Sequence, residues 1–475
     1  MGFNSIDFAI FFPLVTGLYF LCPQRFRWAL LLLASCWFYM SLIPAYIFIL
    51  LFTICVDYVA GLAIERSTGV MRRNFLIASI LANGGTLFFF KYFNFFEANI
   101  TSVAQFFHWN LPLETLAIVL PIGLSFHVFQ SISYTIEVYR GNQKAEGHFG
   151  IFALYVMFYP QLVAGPIERP QNLLHQFHER HRFNLARASS GLGLMLFGYV
   201  KKLVIADNLA VFVDQVYNHP SEYMGMSIVF ATIFFAFQVY CDFSGYSDIA
   251  RGAARVMGFS LMENFRRPYF SQSIGEFWRR WHISLSSWIR DYIFMPLAVK
   301  WRHSRKWGVT AALLVAFLFS GLWHGANWTF IVWGLILGIA ISIEFLTGGG
   351  RTLSLTKEPR NIWKILRTFL LFCFSLVFFR ASTITAALGL LKNIFAGWGT
   401  LFPGQSLTGF LGCILSIILL VGVEYFEERE LTLRLFMMNR YHFGTIFRVV
   451  LVVVGLLSII FFTPPQSPQF IYFQF

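Results

Sequence analysis

Apolar runs long enough to cross a bilayer alternate with short polar stretches along almost the whole chain. A spanning helix needs about 20 predominantly apolar residues, within a range of roughly 17 to 25. Runs near that length lie at 5–22, 28–60, 75–96, 113–136, 149–165, 189–206, 226–243, 308–346, 363–380, 407–426 and 445–463. The 28–60 and 308–346 runs each have room for two passes, and the pattern predicts about eleven transmembrane helices, give or take about two. Two stretches interrupt it: the tract 266–306 is too charged to span, and Pro160 and Pro166 break the run around them. Irregular backbone at membrane depth survives only where protein or water surrounds it. Both stretches are therefore expected as re-entrant or surface helices lining a cavity. The fold class expected is all-α, a polytopic integral membrane protein forming a single transmembrane domain over residues 1–475.

Composition agrees. Of the residues 57% are hydrophobic, 12% are charged and 58 of 475 are Phe, against roughly 25% charge in an average soluble domain. The first apolar run lacks a basic leader and a small-residue cleavage pattern, so it is expected to be retained as a helix. Ile6 stands where a myristoylation motif needs Ser or Thr. Six scattered cysteines, without a C-x-x-C pair, read as small buried hydrophobes.

The net charge of +13 matters through its placement. Between 266 and 306 stand nine Lys or Arg and two acids, Glu276 and Asp291, a local net of +7 that places this tract on the cytoplasmic side. Juxtamembrane basic clusters often do no more than meet anionic headgroups, which suits Lys300 to Lys306. Arg266 to Arg290 is interleaved with Trp278, Trp281, Trp288 and His282, and arginine's fork suits phosphate. That stretch is a candidate for holding the phosphate of an anionic donor at the mouth of a cavity.

No G-x-S-x-G elbow or phosphate-binding Walker loop occurs, and no metal site is expected, the run His175, His178, His181 lacking a complementary set of ligands. Asp242 and Asp248 are expected to cap a helix or to pair with nearby arginines. The remaining chemistry sits at two histidines. His324 lies in an apolar span between Gly321 and Gly325, which permit close approach of another backbone or a thin substrate. A neutral imidazole there is suited to take a hydroxyl proton near neutral pH; the plainer reading is a hydrogen-bonded interior histidine. Asn327, at i+3, has the spacing to hold its tautomer.

Several distinctive blocks stand in order along the chain: Leu120-Pro121-Ile122-Gly123-Leu124-Ser125-Phe126, Tyr159-Pro160-Gln161-Leu162-Val163-Ala164-Gly165-Pro166, Asp242-Phe243-Ser244-Gly245-Tyr246-Ser247-Asp248, Met262-Glu263-Asn264-Phe265, Phe277 to Asp291, and Leu322-Trp323-His324-Gly325-Ala326-Asn327. In these the chain resembles the membrane-bound O-acyltransferase superfamily, in its bacterial branch typified by alginate O-acetylation proteins, and more distantly the D-alanyl transfer proteins of teichoic acids. The resemblance implies helices around a central funnel or tunnel, His324 as the catalytic base on an acceptor hydroxyl, and His282 as a second catalytic position. It implies donor binding around Arg279, Arg280, Trp281 and Arg290, with Asp291 in support.

The resemblance further implies no bound cofactor. The substrate would be acetyl-CoA or another activated acyl donor on the cytoplasmic side, and the acceptor an extracytoplasmic glycan or a periplasmic partner acyltransferase. The chain would sit in a bacterial inner membrane, among lipids and without nucleic acid. After Leu297 the sequence departs from the alginate branch, with Ala298-Val299-Lys300-Trp301-Arg302 replacing a Gly-Gly-Asn type turn. That leaves alginate, peptidoglycan, another exopolysaccharide and a lipid-linked sugar open as acceptors. Two other functions stay in view. One is a D-alanyl transferase fed by a carrier protein; the other is a transporter or flippase with proton-relaying histidines, for which the expected paired repeats are not evident.

Overall fold

In the computed structural model the regular elements are helical among the described residues, namely 1–41, 43–109, 115–116, 118, 120–163, 165–348, 361–400, 406–429, 443–465 and 470–471, with side chains described from 449 in the last helix. Among these residues seven helices are long and apolar enough to cross a membrane: Pro44–Arg66, Gly69–Phe106, Met226–Met257, Arg302–His324, Trp328–Leu346, Ile362–Arg380 and Leu407–Glu428. Two shorter apolar helices are Ile6–Leu21 and Val449–Phe462. The 28–60 run divides into Gln24–Met40 and Ile47–Arg66, and the 308–346 run divides at Gly325.

Three predicted spans take another form. The run at 113–136, part of which lies outside the described residues, gives the helix Leu124–Arg140, nearly all of it buried. The run at 149–165 gives Phe149–Met157 and, past a turn at Phe158, the short helix Tyr159–Leu162, with residues 150–163 buried throughout. The described part of this proline-broken backbone is thus enclosed by protein, the setting that irregular backbone needs inside a bilayer. The run at 189–206 belongs to the helix Leu185–Tyr199 and a π-helical turn Val200–Ala206.

The chain forms two compact units. The first comprises residues 1–195 and 246–262. In it the helices Ile47–Arg66, Gly69–Leu87 and Leu124–Arg140 pack together around a buried polar group. There Asp57 accepts hydrogen bonds from Ser79 Oγ at 2.6 Å and Asn83 Nδ2 at 2.8 Å.

The second unit comprises 196–245 and 263–475. Its core is aromatic: Phe277 and Trp281 stack at 5.5 Å, and both lie against Phe372, at 4.4 and 5.1 Å. The charged tract expected not to span is a succession of short helices, Ile274–Arg280, Ile283–Ile289, Arg290–Phe294 and Met295–Lys300. Ser273 caps the first by accepting from Glu276 N at 3.1 Å, and Glu344 accepts from Ile274 N at 2.8 Å. Orphan amides at a buried helix start need such partners.

Candidate functional site

Both signature histidines lie in the second unit and are buried, His282 fully and His324 at 4% exposure. His282 adopts a left-handed backbone (φ 42°) between the helices Ile274–Arg280 and Ile283–Ile289. Left-handed backbone is uncommon for a residue with a β-carbon. The segment around Asn264 holds it there: Arg266 N donates to Arg280 O at 2.8 Å, and Ile283 N donates to Asn264 O at 2.8 Å.

The Asn264 side chain completes the arrangement. Its Oδ1 lies 3.1 Å from His282 Nδ1, 3.2 Å from Ser284 N and 2.9 Å from Ser284 Oγ. A backbone N–H can only donate, so the atom facing it is the amide oxygen. An oxygen that only accepts requires His282 Nδ1 to carry the hydrogen. The neutral ring therefore has its lone pair on Nε2. Burial pushes the His282 pKa down to about 3, so the ring is neutral at physiological pH.

Trp323 joins the two histidines, its ring 5.8 Å from that of His282 and 5.0 Å from that of His324. His324 is the last residue of its helix and is boxed by Trp333 at 5.0 Å and Phe379 at 5.3 Å. The flanking glycines admit protein. A β-carbon on Gly321 would stand 2.3 Å from Phe330 O, and one on Gly325 would stand 2.1 Å from the Phe330 ring. The Gly321 contact lets the helices Arg305–His324 and Trp328–Leu346 lie backbone against backbone, and Gly325 makes room for the Phe330 ring.

Asn327 lies beyond the end of His324's helix and caps the next one. Its Oδ1 accepts from Thr329 N at 3.1 Å and its Nδ2 donates to Ser382 O at 3.0 Å. Both ends of the amide are thereby committed to the chain reversal after His324.

The expected donor-binding residues fall into three settings. Trp281 is buried in the aromatic core. Arg280 is partly buried and joined to Glu276 at 2.8 Å and Glu428 at 3.0 Å, while Arg267 meets Glu428 at 2.5 Å and Glu427 at 3.4 Å. Arg290 is paired with its neighbour Asp291 at 2.8 Å. Arg279 is exposed and joins no ion pair among the described residues. Much of the positive charge counted along this tract is thus balanced by acids, several of them outside 277–291, that linear spacing does not bring together.

A buried ionic group was not evident from the sequence. Lys202 Nζ lies 2.8 Å from Asp207 and 2.7 Å from Asp242, and Asp242 Oδ2 accepts from Ile471 N at 2.7 Å. Asp242 sits inside the helix Met226–Met257, so it pairs with lysine and caps no helix start. Next to it, the ring of Phe243 meets His282 edge-on at 4.6 Å and Phe470 at 5.8 Å. The available signal was a lysine within an apolar run, since a charge at that depth calls for a partner. Of the three spaced histidines, His175 meets Glu179, His178 meets Glu146 and His181 meets a backbone carbonyl. Among the described residues no group of three or more His, Cys, Asp or Glu is placed to hold a metal.

Residues 148–383 match the family described as MBOAT, membrane-bound O-acyltransferase family. The probable alginate O-acetylase AlgI of Azotobacter vinelandii is 38% identical, over 82% of this chain and 76% of its own length. The peptidoglycan O-acetyltransferase of Helicobacter pylori is 34% identical, over 77% of this chain and 73% of its own. More distant is the teichoic acid D-alanyltransferase of Streptococcus thermophilus, 27% identical over 53% of this chain and 65% of its own.

Proposed function

Because the chain belongs to the membrane-bound O-acyltransferase family and is a multi-pass O-acyltransferase, we propose that it carries an acetyl group from a cytoplasmic thioester, acetyl-CoA, through the membrane to a cell-envelope polysaccharide. The acceptor class is an alginate-like exopolysaccharide or peptidoglycan, and the setting is a bacterial inner membrane. Acetyl transfer is favoured over D-alanyl transfer because the relatives at 38% and 34% identity are named for O-acetylation, and the D-alanyl relative stands at 27%. The matched region takes residues from both compact units, which supports their acting as one transmembrane domain over 1–475.

The observation that carries the reading is the pair of buried histidines bridged by Trp323, one with its tautomer fixed. In the transfer, the acceptor hydroxyl oxygen attacks the thioester carbonyl carbon. A neutral imidazole takes the hydroxyl proton as the C–O bond forms, and the C–S bond breaks to release thiolate, which receives that proton. His324 is assigned the base. His282 is assigned the second position, its Nε2 offering a lone pair to the same hydroxyl or to a proton in transit. Arg279, exposed and in no ion pair among the described residues, is assigned to the donor's phosphates, and the ion-paired Arg280 and Arg290 are assigned to the cytoplasmic mouth. Charged carriers stay outside the bilayer, whereas a two-carbon acyl group passes into the aromatic interior.

The test is release of thiol from acetyl-CoA by the purified protein in nanodiscs, with a periplasmic partner and glycan supplied. Wild type is expected to turn over, and His324→Ala and His282→Ala to be inactive while still folded. Turnover unaffected by either substitution would overturn the assignment.

A further inference from the structure

The first compact unit contains a second, separate concentration of positive charge. Arg187, Arg251 and Arg255 line a pocket of about 250 Å³ together with Gly258, Phe259, Ser260 and Leu261. Two glycines build it. A β-carbon on Gly191 would stand 2.7 Å from Gly252 O, and one on Gly252 would stand 2.6 Å from Gly191 O, so the two helices touch through their backbones. That contact sets the start of the helix Leu185–Tyr199, with Arg187 in its first turn, beside the end of the helix Met226–Met257, with Arg251 and Arg255 one turn apart.

Three guanidinium groups converging on one hollow repel each other, and the protein does little to offset them. Arg251 meets Asp248 at a long 3.4 Å, Arg255 donates to Ser190 Oγ at 3.1 Å, and Arg187 donates to the carbonyl of Arg182 at 2.5 Å. The Nε hydrogens of Arg187 and Arg251 are buried without an acceptor among the described residues. Capping does not explain the arginines either. The closing turn of the helix is made by backbone, Gly258 N donating to Ala254 O at 3.0 Å and Phe259 N to the same carbonyl at 2.9 Å. A second buried acid, Glu168, also feels the Arg251 charge, but its oxygens accept from Met262 N at 2.6 Å and Asn172 Nδ2 at 2.5 Å. Burial raises its pKa to about 7, which removes part of its charge at neutral pH.

Planar forks with unsatisfied N–H groups, gathered in a concave pocket, match the tetrahedral oxygens of a phosphate. The flanking segments carry Arg169, Arg180 and Arg182, which places the pocket on the cytoplasmic side by the positive-inside rule. We propose that Arg187, Arg251 and Arg255 form a phosphate-binding pocket. Two sources supply this chemistry at that face, a phosphate of the thioester carrier and the headgroup of an anionic lipid; the first rests on the acyltransferase reading above.

The experiment uses the full chain in nanodiscs of phosphatidylcholine, with and without phosphatidylglycerol. Equilibrium binding of coenzyme A, and of pantetheine as its phosphate-free counterpart, is measured for wild type, the double variant Arg251→Gln/Arg255→Gln, and the charge-keeping pair Arg251→Lys/Arg255→Lys. Losing charge-assisted hydrogen bonds predicts coenzyme A binding weakened about tenfold or more in the Gln variant, largely restored in the Lys variant, with pantetheine unaffected. Coenzyme A binding unchanged but retention of phosphatidylglycerol lost in the Gln variant, and restored in the Lys variant, supports the pocket with lipid as its ligand. If neither ligand responds in a Gln variant that melts like wild type, the proposal is overturned. Because binding is read without turnover, an inactive wild type counts against the acyltransferase reading and not against the pocket.

Discussion

The side-chain oxygen of Asn264 stands 3.1 Å from His282 Nδ1 while it faces the backbone N–H of Ser284 at 3.2 Å. The second contact identifies the oxygen and the first assigns the proton. Asn264→Leu removes the acceptor and leaves buried donors unmatched, at about 1 to 3 kcal/mol for each. It also frees the ring to take the other tautomer. A loss of activity of about a hundredfold is expected, in the range of a general acid–base contribution. Asn264→Asp keeps an acceptor but sets a carboxylate beside the ring, which favours imidazolium. The acid limb of the pH–rate profile is expected to move upward in that variant, and an unmoved limb would separate His282 from the proton chemistry.

The pH dependence of stability follows from two groups with opposite signs. His282 is held down to about 3 when folded and returns to about 6.5 when unfolded. Below 6.5 the unfolded chain binds the extra proton, so this stabilisation is complete above 6.5 and is lost as pH falls from there toward 3. Glu168 is raised to about 7 from 4.5, so its contribution is complete below 4.5 and is lost as pH rises through 7. In nanodisc melting curves, His282→Phe is expected to lessen the destabilisation on acidification and Glu168→Gln to lessen that between pH 4.5 and 7.

Much of the helical pattern and both signature histidines were legible in the sequence. Apolar runs report the bilayer directly, and a histidine between glycines in such a run stands out. The fate of charged residues was less legible. Arg280 looked available in the linear tract, yet Glu428, far along the chain, neutralises part of it. Asn327 has helical spacing from His324 only if the helix continues, and it ends at His324. Leu124–Arg140 is buried on nearly every side, so its polar residues are tolerated by neighbouring protein that hydropathy does not register.

Gly321 and Gly412 offer a controlled comparison. A β-carbon on Gly321 would press into Phe330 O at 2.3 Å, whereas one on Gly412 would meet nothing within 4 Å. Gly321→Ala must push the paired helix backbones apart and displace His324, three residues on, so both the melting temperature and turnover are expected to fall. Gly412→Ala lies in the helix Leu407–Glu428, where alanine is the better helix former by roughly 1 kcal/mol. It is expected to leave turnover unchanged and raise stability slightly.

Lys202 balances two buried carboxylates, and the asymmetry of that group makes a last prediction. Lys202→Met leaves Asp207 and Asp242 without their shared cation, and breaking a buried pair by removing one partner typically costs about 3 to 5 kcal/mol. Asp242→Asn should cost less, because Lys202 keeps Asp207 and the new amide oxygen still accepts from Ile471 N. If Asp242 acts only through this structural tie, Asp242→Asn retains most of its activity. Its residual loss should follow the Phe243 ring, which bears on His282 at 4.6 Å and on Phe470 at 5.8 Å. Phe470→Ala is then expected to lower kcat in the same direction, and to lower the melting temperature as well because Phe470 is buried. Equal damage from Lys202→Met and Asp242→Asn would instead mean that the Asp242 charge itself serves the reaction.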